Sequence, residues 1–318
     1  MAEPVYDLII IGGGVSGLSA AIYAGRFKMK TAVVGETIGG TIILTTDIAN
    51  YPGFKNITGE ELAEKIREHA LDYDVEIIEK KVTQVEQNKR DKTFRVFMGK
   101  KHLHAKTVLF ATGTEWRKLN VPGEGEFTNK GVHYCALCDG PIYKNKVLGI
   151  VGGSDSAAKE ALLLTEYAKK VYIIYRGEKL RPEPINYDLV MKNKKIEVIH
   201  KTNVKAVKGD KKVNKVLLDR PYNGSKEFKL DGLFIEIGHI PLSKLAKDLG
   251  VKLNKKKQII IDRDSKTNMP GVFAAGDVAD TEFKQAITGV AEGTLAAYSA
   301  YTYVNENEII CTQCDEDM

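Results

Sequence analysis

Short apolar runs alternate with segments rich in small and polar residues along much of the chain. An apolar run at residues 5–11 precedes a Gly-rich loop, a small-residue helix at about 15–27 and a second apolar run at 31–34. The same order returns later, with a strand at 146–151, a Gly-containing turn, a helix at 156–169 and a strand at 171–175. Continuous apolar runs separated by helices are typical of buried parallel strands. The pattern therefore predicts two βαβ units.

Further apolar runs indicate how the two units are connected. Strands are predicted at 82–85, 94–97, 108–110, 232–237 and 271–275, and a helix at about 284–304 follows them. Residues 121–123 and 238–241 contain Pro and Gly and mark crossings between domains. We therefore expect an α/β fold of two Rossmann-like three-layer dinucleotide-binding domains, the second inserted into the first. Residues 1–117 and 245–318 form one domain, and residues 118–244 form the other.

Composition narrows the classes of partner. The 318 residues are 43% hydrophobic and 28% charged, which allows a sizeable core and about two domains. The net charge of +5 is spread along the chain, which argues against a nucleic-acid partner. The run Lys255-Lys256-Lys257 is interpreted as a solvated turn between strands. No secretory signal is visible and no stretch approaches the roughly 20 apolar residues of a membrane helix, so we expect no membrane partner and a cytoplasmic location.

The loop at residues 12–17 fits the G-x-G-x-x-G pattern between a strand and a helix. Gly12 permits the tight turn, Gly14 lets the backbone approach a pyrophosphate, and Gly17 allows close packing of helix and strand. The phosphates then lie at the positive end of the helix. Glu36 follows the second strand, where a ribose-binding acid is expected, although an ordinary surface carboxylate is the alternative. The loop predicts a dinucleotide site without naming the dinucleotide.

Cysteine spacing adds a second kind of chemistry. The four cysteines form two C-x-x-C pairs, Cys135 with Cys138 and Cys311 with Cys314. Such spacing inside a cell favours redox chemistry or metal binding. Asp139 follows the first pair and could protonate a leaving thiolate. Half of a metal site, an inert disulfide and two buried thiols are the alternatives for that pair.

His133 precedes the first cysteine pair by two positions. We interpret it as neighbouring structure and not as a catalytic base.

A series of short motifs resembles low-molecular-weight thioredoxin reductases in both content and order. The resemblance runs from about residue 5 to 304, and the ordered set is highly specific although no single motif is. The matching segments are 39–41, 50–54, 111–113, 135–139, 152–157, 237–239, 276–277 and 284–286.

The resemblance implies a homodimeric FAD enzyme. Electrons would pass from NADPH, or possibly NADH, through FAD to the Cys135–Cys138 disulfide, and then to a thioredoxin- or glutaredoxin-like protein. Cys138 would face the flavin, and Cys135 would attack the partner. Residues 1–117 and 245–318 would bind FAD, and residues 118–244 would bind the nicotinamide and carry the redox pair.

The resemblance also assigns the cofactor contacts. Asp277 could bond a ribityl hydroxyl, and the final helix could face the flavin ring with its positive end. The predicted FAD residues are Gly12, Gly14, Ser16, Gly17, Gly35, Glu36, Gly40, Thr41, Asn50, Ala111, Thr112, Gly113, Gly276, Asp277, Lys284, Gln285 and Ala286. The predicted nicotinamide residues are Gly152, Ser154, Asp155, Ser156, Arg176 and Arg181.

The second nucleotide site departs from the family pattern. Ser154 stands where the family has a third Gly, and its side chain crowds the expected pyrophosphate position. Tyr175 and Gly177 replace a His and an Arg of the 2′-phosphate site, while Arg176 and Arg181 are kept. A lost charge-assisted contact is worth about 1.5–3 kcal/mol. NADPH is the expected donor, with NADH or a donor other than a nicotinamide as alternatives.

The C-terminal Cys311–Cys314 pair has three interpretations: an electron shuttle, half of an intersubunit zinc site, or a dispensable tail. Two other functions also compete with disulfide reduction. One is an NAD(P)H oxidase or peroxiredoxin reductase, and the other is a flavin redox sensor without turnover. Cys135 and Cys138 favour a protein disulfide as the acceptor, because a simple oxidase needs no such pair.

Overall fold

The computed structural model describes residues 5–45 and 48–307, apart from the side chain of Cys138. The chain divides into two compact units. The outer unit comprises Met1–Glu115 and Pro241–Met318, and the inserted unit comprises Trp116–Ile240. None of the helices in the described residues is long and apolar enough to cross a membrane.

The first segment of the outer unit contains two helices and six strands. They are β1 (Val5–Ile11), α1 (Val15–Arg26), β2 (Thr31–Gly35), α2 (Gly59–Leu71), β3 (Glu76–Glu79), β4 (Gln84–Gln87), β5 (Phe94–Met98) and β6 (Lys101–Phe110), with a 3₁₀ turn at Gly40–Leu44. Strand β7 (Thr114–Trp116) follows where the chain leaves this unit.

The inserted unit follows in chain order. Its elements are β8 (Val132–His133), α3 (Ala136–Asp139), β9 (Val147–Gly152), α4 (Asp155–Tyr167), β10 (Lys170–Ile174), α5 (Pro184–Lys192), β11 (Ile196–Ile199), β12 (Val204–Gly209), β13 (Val213–Tyr222), β14 (Ser225–Lys229) and β15 (Gly232–Glu236). After β16 (His239–Pro241), the chain completes the outer unit with α6 (Lys244–Leu249), β17 (Val272–Ala274) and α7 (Ala286–Glu306).

The outer unit is built on a seven-stranded sheet in the order β3-β2-β1-β6-β5-β4, with β17 also paired to β6. Strands β2, β1, β6 and β17 run parallel, whereas β5 and β4 are antiparallel. Leu8 and Ile10 of β1 pack on one face with alanines of α1 and α7, and Ile9 and Ile11 pack on the other face. The strand is buried on both faces from Leu8 to Ile11, which explains the continuous apolar run at these positions.

The inserted unit has the same layered plan. Its parallel sheet has the order β11-β10-β9-β15-β8, and a separate three-stranded antiparallel sheet has the order β12-β13-β14. Leu148 and Ile150 of β9 pack with residues of α4, while Val151 packs with Val207 and Val216 of the antiparallel sheet. Each unit therefore has a sheet covered on both faces, and the predicted fold class is confirmed.

Several element boundaries differ from the sequence prediction. The strand predicted at 82–85 lies at Gln84–Gln87, and the one predicted at 108–110 is the end of the longer β6. The last helix begins at Ala286, after Gln285 in extended backbone as its N-cap. The run 255–257 forms a turn between Leu253 and Ile259, which bridge each other as predicted for a turn between extended segments.

Candidate active site

Three predicted cofactor segments meet at one edge of the outer sheet. Strands β1, β6 and β17 are neighbours, with Ile11 opposite Phe110 and Phe110 opposite Ala274. The Gly-rich loop, the segment 111–113 and the segment 276–277 follow these three strand ends. Ligands of open parallel sheets bind outside the carboxyl ends of the strands. The fold therefore brings together residues that lie more than a hundred positions apart.

Glycines in this edge have different physical roles. Gly12 takes φ +119°, and a Cβ there would lie 2.1 Å from the Ala111 carbonyl oxygen. A Cβ on Gly17 would lie 2.0 Å from the Gly12 oxygen, so only Gly fits at either position. Around Gly14, the nearest heavy atom to an added Cβ is 3.9 Å away. Gly14 thus leaves room for a ligand, whereas Gly12 and Gly17 are required by the chain itself.

The helix that follows this loop suits a phosphate. The N-cap of α1 is Gly14, no side chain caps the first turn, and no acidic residue lies in that turn. The first N–H groups of a helix lack intrahelical partners and carry partial positive charge. The first turn of α7 likewise has neither an acidic residue nor a side-chain cap. Both helix N-termini fit anionic parts of a dinucleotide.

Other predicted FAD residues surround the same sheet edge. Asn50 Nδ2 donates to Gln285 Oε1 at 3.0 Å, which joins two predicted residues across the sequence. Thr112 Oγ1 donates to the Leu242 carbonyl at 2.8 Å. Glu36 follows β2 and pairs with Lys81 at 3.0 Å while staying 65% exposed. A ribose would compete with Lys81 for this carboxylate.

Glycines also bring α1 against the segment 276–277. A Cβ on Gly276, which takes φ +79°, would lie 2.4 Å from Ser16 Oγ, and one on Gly289 would meet the same atom at 2.4 Å. Gly35 and Gly40 pack against the first loop, with added Cβ atoms 2.7 Å from Gly13 N and 2.9 Å from Gly14 Cα. Ser16 is therefore a packing residue of this junction.

The remaining predicted residues are placed around the N-terminus of α7 and in the turn after β2. Lys284 Nζ donates to the Ala279 carbonyl, and burial lowers the pKa of this lysine although Asp277, Glu292 and Asp280 act to raise it. Thr41 is exposed in the 3₁₀ turn Gly40–Leu44. Asp277 is half-buried, and Ala286 opens α7.

Glu292 supports the segment 276–277 and was not predicted. It is 8% exposed, and its Oε2 accepts a 2.7 Å hydrogen bond from Gly276 N. Thr281 Oγ1 donates to Oε1 of the same carboxylate. The sequence signal for it is weak but present, because Glu292 is the first acidic residue in a helix of small and apolar residues.

The cysteine pair lies in the inserted unit. Cys135 immediately precedes α3, is 7% exposed and is disulfide-bonded. Asp139 N donates to the Cys135 carbonyl at 3.2 Å, which closes the single turn of α3. Cys138 lies within that turn, but its side chain lies outside the described part of the structure, so its pairing with Cys135 stays a prediction.

The buried imidazole of His133 contacts the Asp139 carboxylate. His133 Nδ1 lies 2.9 Å from Asp139 Oδ2, which is an ion-pair distance without the direction of a good hydrogen bond. His133 Nε2 is 2.7 Å from the Tyr143 hydroxyl, and its ring stacks on Phe234 with 5.3 Å between centroids. Burial lowers the pKa of His133, although Asp139 acts to raise it. His133 is neighbouring structure, as interpreted from the sequence, but it also orients the candidate acid.

Glu124 is a second support that the sequence did not reveal. It is 4% exposed and accepts hydrogen bonds from the Tyr134 hydroxyl at 2.8 Å and from Leu119 N at 2.9 Å. Asn120 N donates to its other oxygen at 2.5 Å. Burial and Glu124 together raise the pKa of Tyr134, which therefore stays protonated. Glu124 thus ties the start of the inserted unit to the residue before Cys135.

The second nucleotide loop follows β9. A Cβ on Gly152 would lie 2.2 Å from the Glu236 carbonyl oxygen, so this Gly is required by strand packing. Ser154 is the exposed N-cap of α4, and its side chain makes no capping hydrogen bond. Ser156 is exposed in the first turn. Arg181 N donates to the Gly153 carbonyl at 2.7 Å, and Arg176 and Arg181 are both exposed.

Asp155 serves the local fold of this loop. Its Oδ1 accepts from Glu183 N at 3.0 Å and from Asn186 Nδ2 at 2.7 Å, and its Oδ2 pairs with Lys159 at 2.8 Å. Burial acts to raise the pKa of Asp155, but these partners lower it on balance. The carboxylate is therefore already engaged before any cofactor contact.

Tyr175 is the largest departure in the second site. Its ring is 9% exposed and lies between two glycines of the site. Added Cβ atoms on Gly153 and Gly177 would lie 2.3 Å and 2.6 Å from ring atoms of Tyr175. From the sequence alone, Tyr175 and Gly177 are two separate losses, whereas in the structure the Tyr175 ring leaves room only for a glycine at position 177. The Cys311–Cys314 tail lies outside the described residues.

Comparison with known proteins agrees with this arrangement. The sequence profile described as pyridine nucleotide-disulphide oxidoreductase matches residues 6–293. A thioredoxin reductase of Listeria innocua is 39% identical over 307 residues, which cover 96% of this chain and 95% of that protein. The crystal structure of Lactococcus lactis thioredoxin reductase matches with a TM-score of 0.90 at 37% identity, covering 95% of this chain and 100% of that one. For T. acidophilum thioredoxin reductase the TM-score is 0.87 at 36% identity, with 94% and 99% covered.

Proposed function

Because the chain belongs to the pyridine nucleotide-disulphide oxidoreductase family and, within it, to the thioredoxin reductases, we propose that it reduces a thioredoxin- or glutaredoxin-like protein. FAD and NADPH, the cofactors predicted from the sequence, are those of this family. FAD, when bound, supplies the two-electron chemistry between the nicotinamide and a disulfide. The observation that carries the proposal is the disulfide-bonded Cys135, which immediately precedes a one-turn helix that ends at Asp139.

The protein residues handle the disulfide and its protons. Reduction of the Cys135–Cys138 disulfide takes up two electrons and two protons, and re-oxidation by the partner's disulfide returns them to the partner. Asp139 is the candidate acid for the thiolate that leaves, and His133 fixes its orientation. Following the family, we assign Cys138 to the flavin side and Cys135 to attack on the partner. Each role is a proposal that single substitutions can separate.

The cofactor-binding roles of the two units follow from their loops. The outer unit would bind FAD through the loop at 12–17 and the segments at 111–113 and 276–277, because their glycines and uncapped helix ends fit a dinucleotide. The inserted unit would bind the nicotinamide cofactor along β9 and α4. A reducing compartment such as the cytoplasm suits an enzyme that keeps such cysteines in turnover.

NADH is a second candidate donor, and one observation favours it. The Tyr175 ring fills the space between Gly153 and Gly177, so no cation stands at position 177 to pair with a 2′-phosphate. Arg176 and Arg181 are exposed and remain as the cations of that region. An unphosphorylated ribose needs no such pair. We therefore propose NADPH as the donor. Its preference over NADH should be smaller than in a site with two further charge-assisted contacts to the 2′-phosphate.

We also propose that the protein forms a homodimer. Helices α1 and α7 expose aromatic side chains on a common face of the outer unit: Tyr23, Tyr298 and Tyr301 are 40%, 57% and 37% exposed. Phe27 stacks on Tyr301 with 4.8 Å between ring centroids. Exposed aromatic groups of this kind are enriched at protein interfaces. Tyr298→Glu is expected to shift sedimentation from dimer toward monomer, and an unchanged dimer would assign the contact to another face.

Steady-state turnover tests the proposed function. FAD-loaded protein is mixed with NADPH and oxidised thioredoxin, and NADPH consumption and thioredoxin thiols are followed together. We expect equal amounts of NADPH consumed and disulfide reduced, and we expect Cys135→Ser and Cys138→Ser each to abolish both. Cys311→Ser/Cys314→Ser tests the second cysteine pair separately: unchanged turnover would exclude an electron shuttle through the C-terminal pair. NADPH consumption that continues at the wild-type rate in Cys138→Ser, with oxygen as the acceptor, would indicate an oxidase and contradict the proposal.

A further inference from the structure

Two carboxyl groups lie against each other near α3, the one-turn helix that follows Cys135. Glu236 ends β15 and is 5% exposed, and Glu160 lies on the middle of α4. Their side chains are hydrogen-bonded to each other. Neither residue belongs to the family motifs of the nucleotide loop or of the cysteine pair. A buried acid pair with no cationic partner among the described residues needs a physical explanation, because two ionised carboxylates in contact repel each other.

The pair of carboxyl groups contacts the backbone of α3. Glu160 Oε2 accepts a 3.0 Å hydrogen bond from the backbone N–H of Ala136, the residue that follows Cys135 and opens α3. The Oε1 atom of Glu236 is buried and has no hydrogen-bond partner among the residues that the structure describes. A chain of contacts therefore runs from Glu236 through Glu160 to the amide beside Cys135.

The protonation state of the pair follows from its surroundings. Burial raises the pKa of both carboxyls, and that of Glu236 further, because the adjacent Glu160 also opposes its ionisation. The Ala136 amide and the Glu236 hydrogen bond both favour ionised Glu160. The proton therefore resides on Glu236, which donates to the Glu160 carboxylate. The raised pKa of Glu160 moves its change of charge toward the physiological range.

The other ionisable groups near the pair are few. Asp139 of α3 acts on Glu160 and opposes its ionisation. Asp139 in turn contacts His133 of β8, and His133 contacts the Tyr143 hydroxyl. Cys135 precedes the Ala136 amide directly. Within the described residues, no Lys or Arg is hydrogen-bonded or ion-paired to either carboxylate, so nothing cationic compensates the charge of Glu160.

We propose that Glu160 and Glu236 are positioning residues of the disulfide chemistry, which share one proton and set the charge beside Cys135. The neutral pair holds the Ala136 amide without opposing a thiolate at Cys135. Ionised Glu160 holds the same amide but places a negative charge next to the sulfur, which disfavours the thiolate. The pair thus adjusts the nucleophile as pH changes. This inference rests on the proposed function for its meaning, but not for its test.

The test measures the Cys135 thiol directly. FAD-loaded protein is reduced anaerobically, and the rate of alkylation at Cys135 by iodoacetamide is followed against pH by site-resolved mass spectrometry. Burial of Cys135 slows alkylation in every variant alike, so the pH at which the rate rises carries the information. Neither NADPH nor thioredoxin is present, and failure here is therefore distinct from failure of the reductase activity.

Substitutions of Glu160 and Glu236 should change the reactivity of Cys135 in a pattern that a purely structural role of these residues would not produce. Glu160→Gln keeps an acceptor for Ala136 and removes the charge, so we expect Cys135 to react about three- to tenfold faster near pH 8. Glu236→Gln imitates the protonated acid and should match the wild type. Glu236→Leu removes the proton donor, keeps Glu160 protonated to higher pH and should approach Glu160→Gln. Glu166→Gln, on the exposed side of the same helix, is the control.

Two results would overturn the inference. One is a Cys135 pH profile that Glu160→Gln leaves unchanged. The other is Glu236→Gln shifting the profile as far as Glu236→Leu does. A second measurement does not depend on the folding of Glu160 variants: infrared spectra at pH 8 should contain a protonated-carboxyl band that Glu236→Gln lacks. Spectra without that difference would show that no proton is shared, and would contradict the inference equally.

Discussion

The two Gly-rich loops stand on similar frames and differ in their surroundings. Each follows a buried parallel strand, β1 or β9, and leads into a helix. In the outer unit, the helix starts at Gly14 with open space around it and with no acid in its first turn. In the inserted unit, Ser154 occupies the N-cap and Asp155 stands in the first turn. The same strand–loop–helix frame thus offers one anion site that is open and one that is partly obstructed.

The neighbours of each loop extend this difference. The first loop packs on other glycines and small residues, such as Gly35, Gly40 and Gly276. The second packs on the Tyr175 ring, which lies over Gly153. A glycine motif therefore specifies the turn, whereas the residues around it decide what the turn can bind. Dinucleotide binding can therefore be proposed from the first loop itself, whereas donor preference depends on the residues around the second loop.

The largest effect is expected from Gly12→Ala. Its backbone at φ +119° and the 2.1 Å contact with the Ala111 oxygen leave no place for a methyl group. We expect unfolding free energy to fall by roughly 3 kcal/mol or more, with loss of FAD from the purified protein. Thermal unfolding and the flavin-to-protein ratio measure both.

Gly14→Ala is the matched control for that substitution. An added Cβ there meets nothing closer than 3.9 Å, so stability should change by less than about 1 kcal/mol while FAD affinity falls. If Gly12→Ala were as stable as Gly14→Ala, the distinction between chain glycines and ligand glycines would be lost.

The second loop can be altered toward phosphate recognition. The double variant Tyr175→His/Gly177→Arg removes the obstructing ring and adds a guanidinium, so preference for NADPH over NADH should rise roughly 10- to 100-fold. The readout is kcat/KM for each donor. Gly177→Arg alone should lower stability, because its Cβ would lie 2.6 Å from the buried ring. A single variant that reproduced the double one would show that Tyr175 does not block the site.

Removal of the Glu292 support should have a moderate effect on the first loop. Glu292→Ala leaves the buried Gly276 amide without an acceptor and should cost about 1–3 kcal/mol of stability, with weaker FAD binding. Glu292→Gln keeps an acceptor oxygen and should lose less. Chemical denaturation with and without added FAD distinguishes the two losses. Equal stability of Glu292→Ala and wild type would show that Glu292 does not stabilise the loop at Gly276.

The smallest effect is expected from Ser154→Gly. Ser154 is exposed and its side chain caps nothing, so stability should change by only a few tenths of a kcal/mol. Removal of the side chain should lower the Kd for NADPH by roughly two- to fivefold, because backbone can then approach the pyrophosphate. Calorimetric titration measures this affinity. A higher Kd for NADPH would mean that the Ser154 hydroxyl contributes a contact to the cofactor.

Much of the fold follows from local pattern, and the exceptions have a physical cause. Strand β1 has its predicted bounds because all of its positions except Asp7 are apolar or aromatic and both of its faces are covered. Strand β3, with Glu76 and Glu79 exposed at its ends, and the charged β14 were not predicted. These two strands lie at sheet edges, where one side faces solvent and the apolar pattern weakens.

The candidate site divides in the same way. The glycine loops and the C-x-x-C pair carry fixed spacing, so sequence alone predicts them. Glu124 and Glu292 act through buried hydrogen bonds, and His133 acts through its ion-pair contact with Asp139; all of these form only after the chain packs. The obstruction by Tyr175 likewise arises between segments that are distant in sequence, since Gly153 lies on the loop after β9 and Tyr175 follows β10.

The most direct test of the central claim is rapid anaerobic mixing of the FAD-loaded enzyme with NADPH, and separately with NADH, followed through flavin absorbance and then through added oxidised thioredoxin. We expect NADPH to bleach the flavin in the wild type and in Cys135→Ser/Cys138→Ser, and thioredoxin to be reduced by the wild type alone. Reduction of thioredoxin by the double variant, or a flavin that neither nicotinamide bleaches, would contradict the proposed route of electrons.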